Sequence, residues 1–279
     1  MNWELWRAQI AAIMRLEIRK SFLNRRGGVI YLLAFMPVII WVLHIFVMRA
    51  RGRQCNFGED IHMFAMIFQF FFVRLFIFFG CVAVFMNLFR GEVLQKSLHY
   101  YFLAPVRREV LLAGKFFAGL LAAFTIFGAS VLLQLAALLW HFDSNTVSQY
   151  LYQSGGFGHI VGYLGVTLLA CLGYGSVFLA MGMFFRNPLI PAAAVLIWEG
   201  ISSILPSTLQ KFTIIHYLQS MAPVPADPPK GAVPLQILMF VADRTPAPVA
   251  VLGLCALTAV VLVIAARRVR RMQIDYAAE

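Results

Sequence analysis

Charged side chains are scarce in this sequence: they make up 13% of its 279 residues, while 61% are hydrophobic. Soluble domains run at about 25% charged and about 45–50% apolar. A water-soluble fold of this length has too little interior to hide so much apolar surface, which excludes an ordinary soluble domain. Cysteine is sparse as well. Cys81, Cys171 and Cys255 fall inside apolar runs, and Cys55 stands alone in a polar stretch. No CxxC pair and no Cys/His spacing of a zinc centre occurs, so neither a disulfide framework nor a metal site is expected. Acidic residues number 12 against 23 lysines and arginines, for a net charge of +11. That balance raises nucleic acid as a partner. The basic residues, however, sit at the edges of apolar runs, where membrane topology signals lie, so no nucleic acid is expected.

Catalytic signatures are missing too. A P-loop needs Gly-x-x-x-x-Gly-Lys-Ser/Thr, whose amides cradle phosphates and whose hydroxyl holds magnesium. Gly114-Lys115 opens a long apolar segment, but Glu109 stands where the first glycine belongs and Phe116 where the hydroxyl belongs. None of the six histidines is followed by glutamate, so the zinc-protease motif is absent. Gly173-Tyr174-Gly175-Ser176 lacks the glycine that follows a nucleophilic serine, and the apolar runs hold no paired carboxylates. No catalytic residue is assigned, and an intramembrane enzyme is the weakest of the functional readings.

What the chain does have is long apolar runs. About 20 residues at 1.5 Å each cross a bilayer core, and six segments qualify: 29–48, 63–89, 111–140, 160–185, 189–205 and 249–266. The fifth is short and interrupted by Glu199. The expected fold is an all-α polytopic membrane protein in a single transmembrane domain, 1–279. If the N-terminus is cytoplasmic, the inner segments hold Arg7, Arg15, Arg19, Lys20, Arg25, Arg26, Arg90, Lys96, Arg107, Arg108, Lys115, Arg186, Arg267, Arg268, Arg270 and Arg271. The outer segments hold Arg49, Arg51, Arg53, Lys211, Lys230 and Arg244. The positive-inside rule then places both termini in the cytoplasm of a cell (inner) membrane protein.

Residues 1–28 read as an interfacial helix: Trp3, Trp6, Ile10, Ile13 and Met14 gather on one face, with Glu17 intruding on it. The first apolar run is long enough to stay in the membrane and reads as a span, not a cleavable signal. Residues 206–248 contain eight of the 12 prolines. The apolar pieces within them, 212–222 and 232–242, are too short to cross, which predicts an external re-entrant cap. A cytoplasmic tail follows the last span at 267–279. Glycines crowd the fourth span, as close helix packing in lipid requires.

The loop at 90–110 mixes charge with apolar bulk. Leu94, Leu98 and Tyr101 share a helical face and Pro105 ends the turn, which predicts a short amphipathic helix on the membrane surface or against another protein. Its order is a charged residue, Gly91-Glu92, a leucine-rich turn, Ala104-Pro105-Val106-Arg107-Arg108, then Gly114-Lys115 opening a long span. This resembles the cytoplasmic coupling segment of ABC exporter permeases. The run Ile197-Trp198-Glu199-Gly200 and the order of elements along the whole chain are similar to that family as well. The resemblance implies a membrane-spanning subunit that pairs with a second copy, expected to be identical, and is driven by separate cytoplasmic ABC ATPases. ATP and magnesium would then belong to the ATPase, and this chain would carry no cofactor. Glu92, Leu94, Leu98, Tyr101, Pro105 and Arg107 would face the ATPase. The route would run between the paired subunits along the first, second and fifth spans, beside membrane lipids. The second span is rich in phenylalanine, for which packing is the plainer account.

The alternative is an ion-coupled secondary carrier or a channel. Arg74 and Glu199 are charges deep inside the spans, and such residues are functional candidates by default. Both fall near the bilayer midplane at 1.5 Å per residue, so mutual pairing is expected to be one remedy for their burial. No internal symmetry of the kind that marks carriers is visible.

Overall fold

The structure, a computed structural model, describes residues 3–23, 27–52, 56–94, 103, 106–185, 187–226 and 244–271. Among them, all regular structure is helical. Five stretches are long and apolar enough to cross a membrane: Gly28–Ala50, Phe57–Glu92, Arg108–Trp140, Gly156–Phe184 and Ala247–Arg270.

The elements run as follows. Helix α1 covers Trp3–Leu23 and α2 Gly27–Ala50. The second long stretch is composite: α3 at Phe57–Ile67, a π-helix at Phe68–Ile77, α4 at Phe78–Phe85 and α5 at Asn87–Leu94. Then come α6 at Arg108–Trp140, α7 at Ser144–Tyr152 and α8 at Gly156–Phe184. Helix α9 spans Leu189–Gly200 and is prolonged by a single 3-10 turn, Ile201–Ile204. Two short helices follow, α10 at Ser207–Gln210 and α11 at Ile214–Ser220, before the last long helix, α12, at Ala247–Arg270.

The fifth expected span, 189–205, is found almost to the residue as Leu189–Ile204 but is not among these five. Leu189–Ile204 is an apolar helix of about 24 Å at 1.5 Å per residue, against a hydrocarbon core of about 30 Å. The reason lies at Pro206, whose ring forces the residue before it out of the helical region; Leu205 is extended, at ψ 150°. The apolar piece at 212–222 forms α11, and it is enclosed by protein. Ile214, Ile215, His216, Tyr217, Leu218 and Gln219 are all buried, packed between α8, α12 and the π-helix. The other piece, 232–242, and the tail beyond Arg271 lie outside the described residues.

Helix α6 is the axis of the bundle, touching α1, α2 and α8, while α8 packs in turn on α4, α5 and α12. The phenylalanines of the second stretch fill the space between them. Phe64, Phe68, Phe72, Phe78 and Phe85 are buried, and the first four meet Tyr163, Phe127, Tyr174 and Phe178 edge-on. Phe71 and Phe79 alone of the group are largely exposed. The ring of Phe85 is gripped from two sides, where Cβ atoms on Gly119 or Gly175 would come within 2.9 Å and 2.5 Å of it.

Backbone also comes close at Gly182, where an added Cβ would stand 2.8 Å from the Met86 carbonyl oxygen. A carbonyl cannot swing aside as a ring can. Gly182→Ala should therefore lower stability by about 1–3 kcal/mol, the usual cost of overpacking. Gly165→Ala, in the same helix but with open space around it, should lose nothing. Thermal unfolding of the two variants in detergent checks the pair; equal melting temperatures would show that α5 and α8 are not this close.

Candidate functional site

Among the polar centres of the described residues, two gather the charges that the sequence singled out or that flank the 90–110 loop. The first joins α1, α5 and the start of α6. Lys115 is fully enclosed, at 0% exposure. Its ammonium donates to Glu17 Oε1 at 2.6 Å, to Glu92 Oε1 at 2.8 Å and to the Leu88 carbonyl at 2.9 Å. A lysine has three N–H donors, and here all three have acceptors. The Phe89 ring closes the site, its centroid 5.4 Å from Nζ. The Gly114-Lys115 dipeptide has a structural logic: a Cβ on Gly114 would fall 2.9 Å from Ile13, so the glycine lets α1 lie close enough for Glu17 to reach Lys115. The acid that breaks the apolar stripe of α1 is thus turned inward, one helical turn from the buried Ile13.

The residues assigned from the coupling-segment resemblance fall around this centre. Glu92 is 6% exposed and turned onto Lys115, so its carboxylate can reach another protein only if this ion pair opens. Arg107 is exposed, its guanidinium 5.1 Å from the Trp6 ring of α1. Leu94 ends α5, but its side chain lies outside the described residues, as do Leu98, Tyr101 and Pro105. Beside the same end of the bundle, the Arg108 guanidinium donates to the carbonyls of Val269 and Arg270 at 3.3 and 3.0 Å, satisfying acceptors left over at the end of α12. Arg270 in turn pairs with Glu109.

The second centre is built by α8, α9, α11 and the π-helix. Glu199 is 3% exposed and accepts the backbone N–H of Ile214 on Oε1 at 2.9 Å and that of Ile215 on Oε2 at 2.8 Å. It therefore caps the start of α11, whose first amides have no partner within the helix. Tyr174 of α8 donates its hydroxyl to Glu199 Oε2 at 3.4 Å. Arg74, 5% exposed on the π-helix, stands within electrostatic reach of both Tyr174 and Glu199. Gln69, on the same π-helix, donates to the Val224 carbonyl at 2.8 Å and so ties it to the chain that follows α11. The two charges singled out from the sequence lie within electrostatic reach of one another, and Glu199 is held by a tyrosine and two amides.

No protein-family model matches the chain, and no curated protein matches it significantly. The case for a function rests on these two centres and on the sequence.

Sequence reasoning missed three participants. Tyr174 was legible only as part of a glycine-rich span, and Gln69 carries no charge to attract notice. The π-helix, a geometry often found at functional positions, has no signature in a one-dimensional pattern. Away from both centres, the Tyr150 hydroxyl and His159 Nδ1 are 3.0 Å apart, and burial pushes the Tyr150 phenol above its ordinary pKa. Among the described residues, no three His, Cys, Asp or Glu side chains converge as a metal ion would require.

Proposed function

We propose that this chain is the membrane-spanning permease subunit of an ATP-driven ABC exporter. It acts as a dimer with separate cytoplasmic ATPases, keeps both termini in the cytoplasm of the cell membrane, and uses 206–248 as a re-entrant cap on the outer side. One observation carries the reading: both ends of the coupling-like segment meet in one buried ion cluster. Glu92 stands at its start, Lys115 just beyond its end, and Glu17 of α1 completes the clasp. A push on the residues between Glu92 and Arg108 would reach α1, α5 and α6 together, because a buried ion pair does not give way piecemeal. The rival carrier reading draws least support from Glu199, whose oxygens are taken up by a helix start and a tyrosine.

The test is biochemical. The chain alone should neither bind nor hydrolyse ATP, since its sequence has no P-loop. Co-expressed with any ABC ATPase whose gene adjoins its own, it should retain that ATPase on affinity purification. Leu98→Asp, which would set an unpaired charge into the expected contact, should abolish retention while leaving membrane insertion intact. ATP hydrolysis by the isolated chain, or full retention by the Leu98 variant, would sink the reading.

A further inference from the structure

The last helix carries one continuous stripe that changes character along its length. Val260, Val263 and Ile264 are exposed, at 59%, 51% and 47%. At the next spacings of three and four on the same face stand Arg267, Arg268 and Arg271, all exposed. With Arg270, and with Phe184 at the end of α8, they line a surface groove of about 620 Å³ floored by Ile264. The Arg268 guanidinium lies 5.6 Å from the centroid of the Phe184 ring. Arg270 is engaged by Glu109. Among the described residues, Arg267, Arg268 and Arg271 have no carboxylate partner.

Arginines at a helix C-terminus complement the helix dipole and help set topology. Neither role calls for a groove with an aromatic wall. We propose that this groove binds one anionic phospholipid, with Arg267, Arg268 and Arg271 on the phosphate and an acyl chain along Val260, Val263 and Ile264. The guanidinium fork suits phosphate oxygens two at a time. The stripe passes from apolar to cationic where a membrane passes from acyl chain to headgroup. That continuity selects a lipid over a free phosphate, which would gain nothing from the apolar half. The site does not depend on the transport reading.

Native mass spectrometry of the purified chain in mixed phosphatidylglycerol–phosphatidylcholine micelles tests it. One phosphatidylglycerol should be retained about ten-fold over phosphatidylcholine, and 10 mM inorganic phosphate should not displace it. Retention should fall about five-fold for each arginine exchanged for glutamine at 267, 268 and 271. Arg49→Gln with Arg51→Gln removes charge elsewhere and should change nothing. Should the triple glutamine variant insert poorly, the triple lysine variant keeps the charge and should still weaken retention a few-fold through loss of the fork. Equal retention of the two lipids overturns the proposal, as does displacement by phosphate. So does wild-type retention by the triple glutamine variant or, where that variant fails to insert, by the triple lysine variant.

Discussion

Lys115→Met should lower the melting temperature of the purified protein by on the order of 10 °C. The ammonium is enclosed between two carboxylates and a carbonyl. Its removal takes from Glu17 and Glu92 the cation they share. Breaking a buried pair from one side costs about 3–5 kcal/mol, which at about 2–4 °C per kcal/mol for a chain of this size gives the stated shift. The cause is separable from lost packing. Adding Glu17→Gln and Glu92→Gln to Lys115→Met removes the repulsion between the two carboxylates and should recover much of the loss, so the triple variant should melt above the single one. Differential scanning in detergent reads both. A single variant that melts with the wild type would show that the cluster contributes little, and the mechanical argument for coupling would fall with it.

Glu199→Ala should cost about 3–5 kcal/mol, because it strips two buried amides of their acceptor and removes a carboxylate whose charge acts on Arg74. Glu199→Gln keeps one oxygen for one amide and should cost less. The decisive comparison is a double-mutant cycle with Arg74→Gln. If the two charges stabilise one another across Tyr174, the double variant Arg74→Gln/Glu199→Gln should lose less stability than the sum of the singles, with a coupling of about 1 kcal/mol or more. Strict additivity would mean that Glu199 serves only as a helix cap, and Arg74 would need an account of its own.

These two experiments mark where the sequence was legible. The long helices could be read from apolar run length alone, since crossing a bilayer imposes a length and little else; 111–140 and 249–266 are each recovered to within a few residues. Span five could not be read so simply. Its bounds match Leu189–Ile204 to one residue, but at about 24 Å the helix falls short of a hydrocarbon core of about 30 Å. Glu17 was visible as a blemish on an amphipathic face, and nothing local revealed that Lys115, 98 residues away, would meet it. Arg74 and Glu199 announced themselves by the cost of burying charge. The amides of Ile214 and Ile215 stayed hidden because every residue has an N–H, and only the fold decides which ones are left without a partner.

The π-helix at Phe68–Ile77 has one more consequence, for how this chain can change length. Its turns are wider than those of an α-helix, so it holds surplus backbone between α3 and α4. Losing one residue there can be absorbed by tightening to ordinary α geometry, with both flanking helices keeping their faces. The same loss within α6 would turn every side chain beyond it by about 100° around the axis, tearing α1 and α8 from their contacts at once. The stretch that carries Gln69 and Arg74 is thus also the stretch where insertions and deletions can be accommodated, and the register of Phe64 against Phe78 is set by how many residues lie in the wide turns between them.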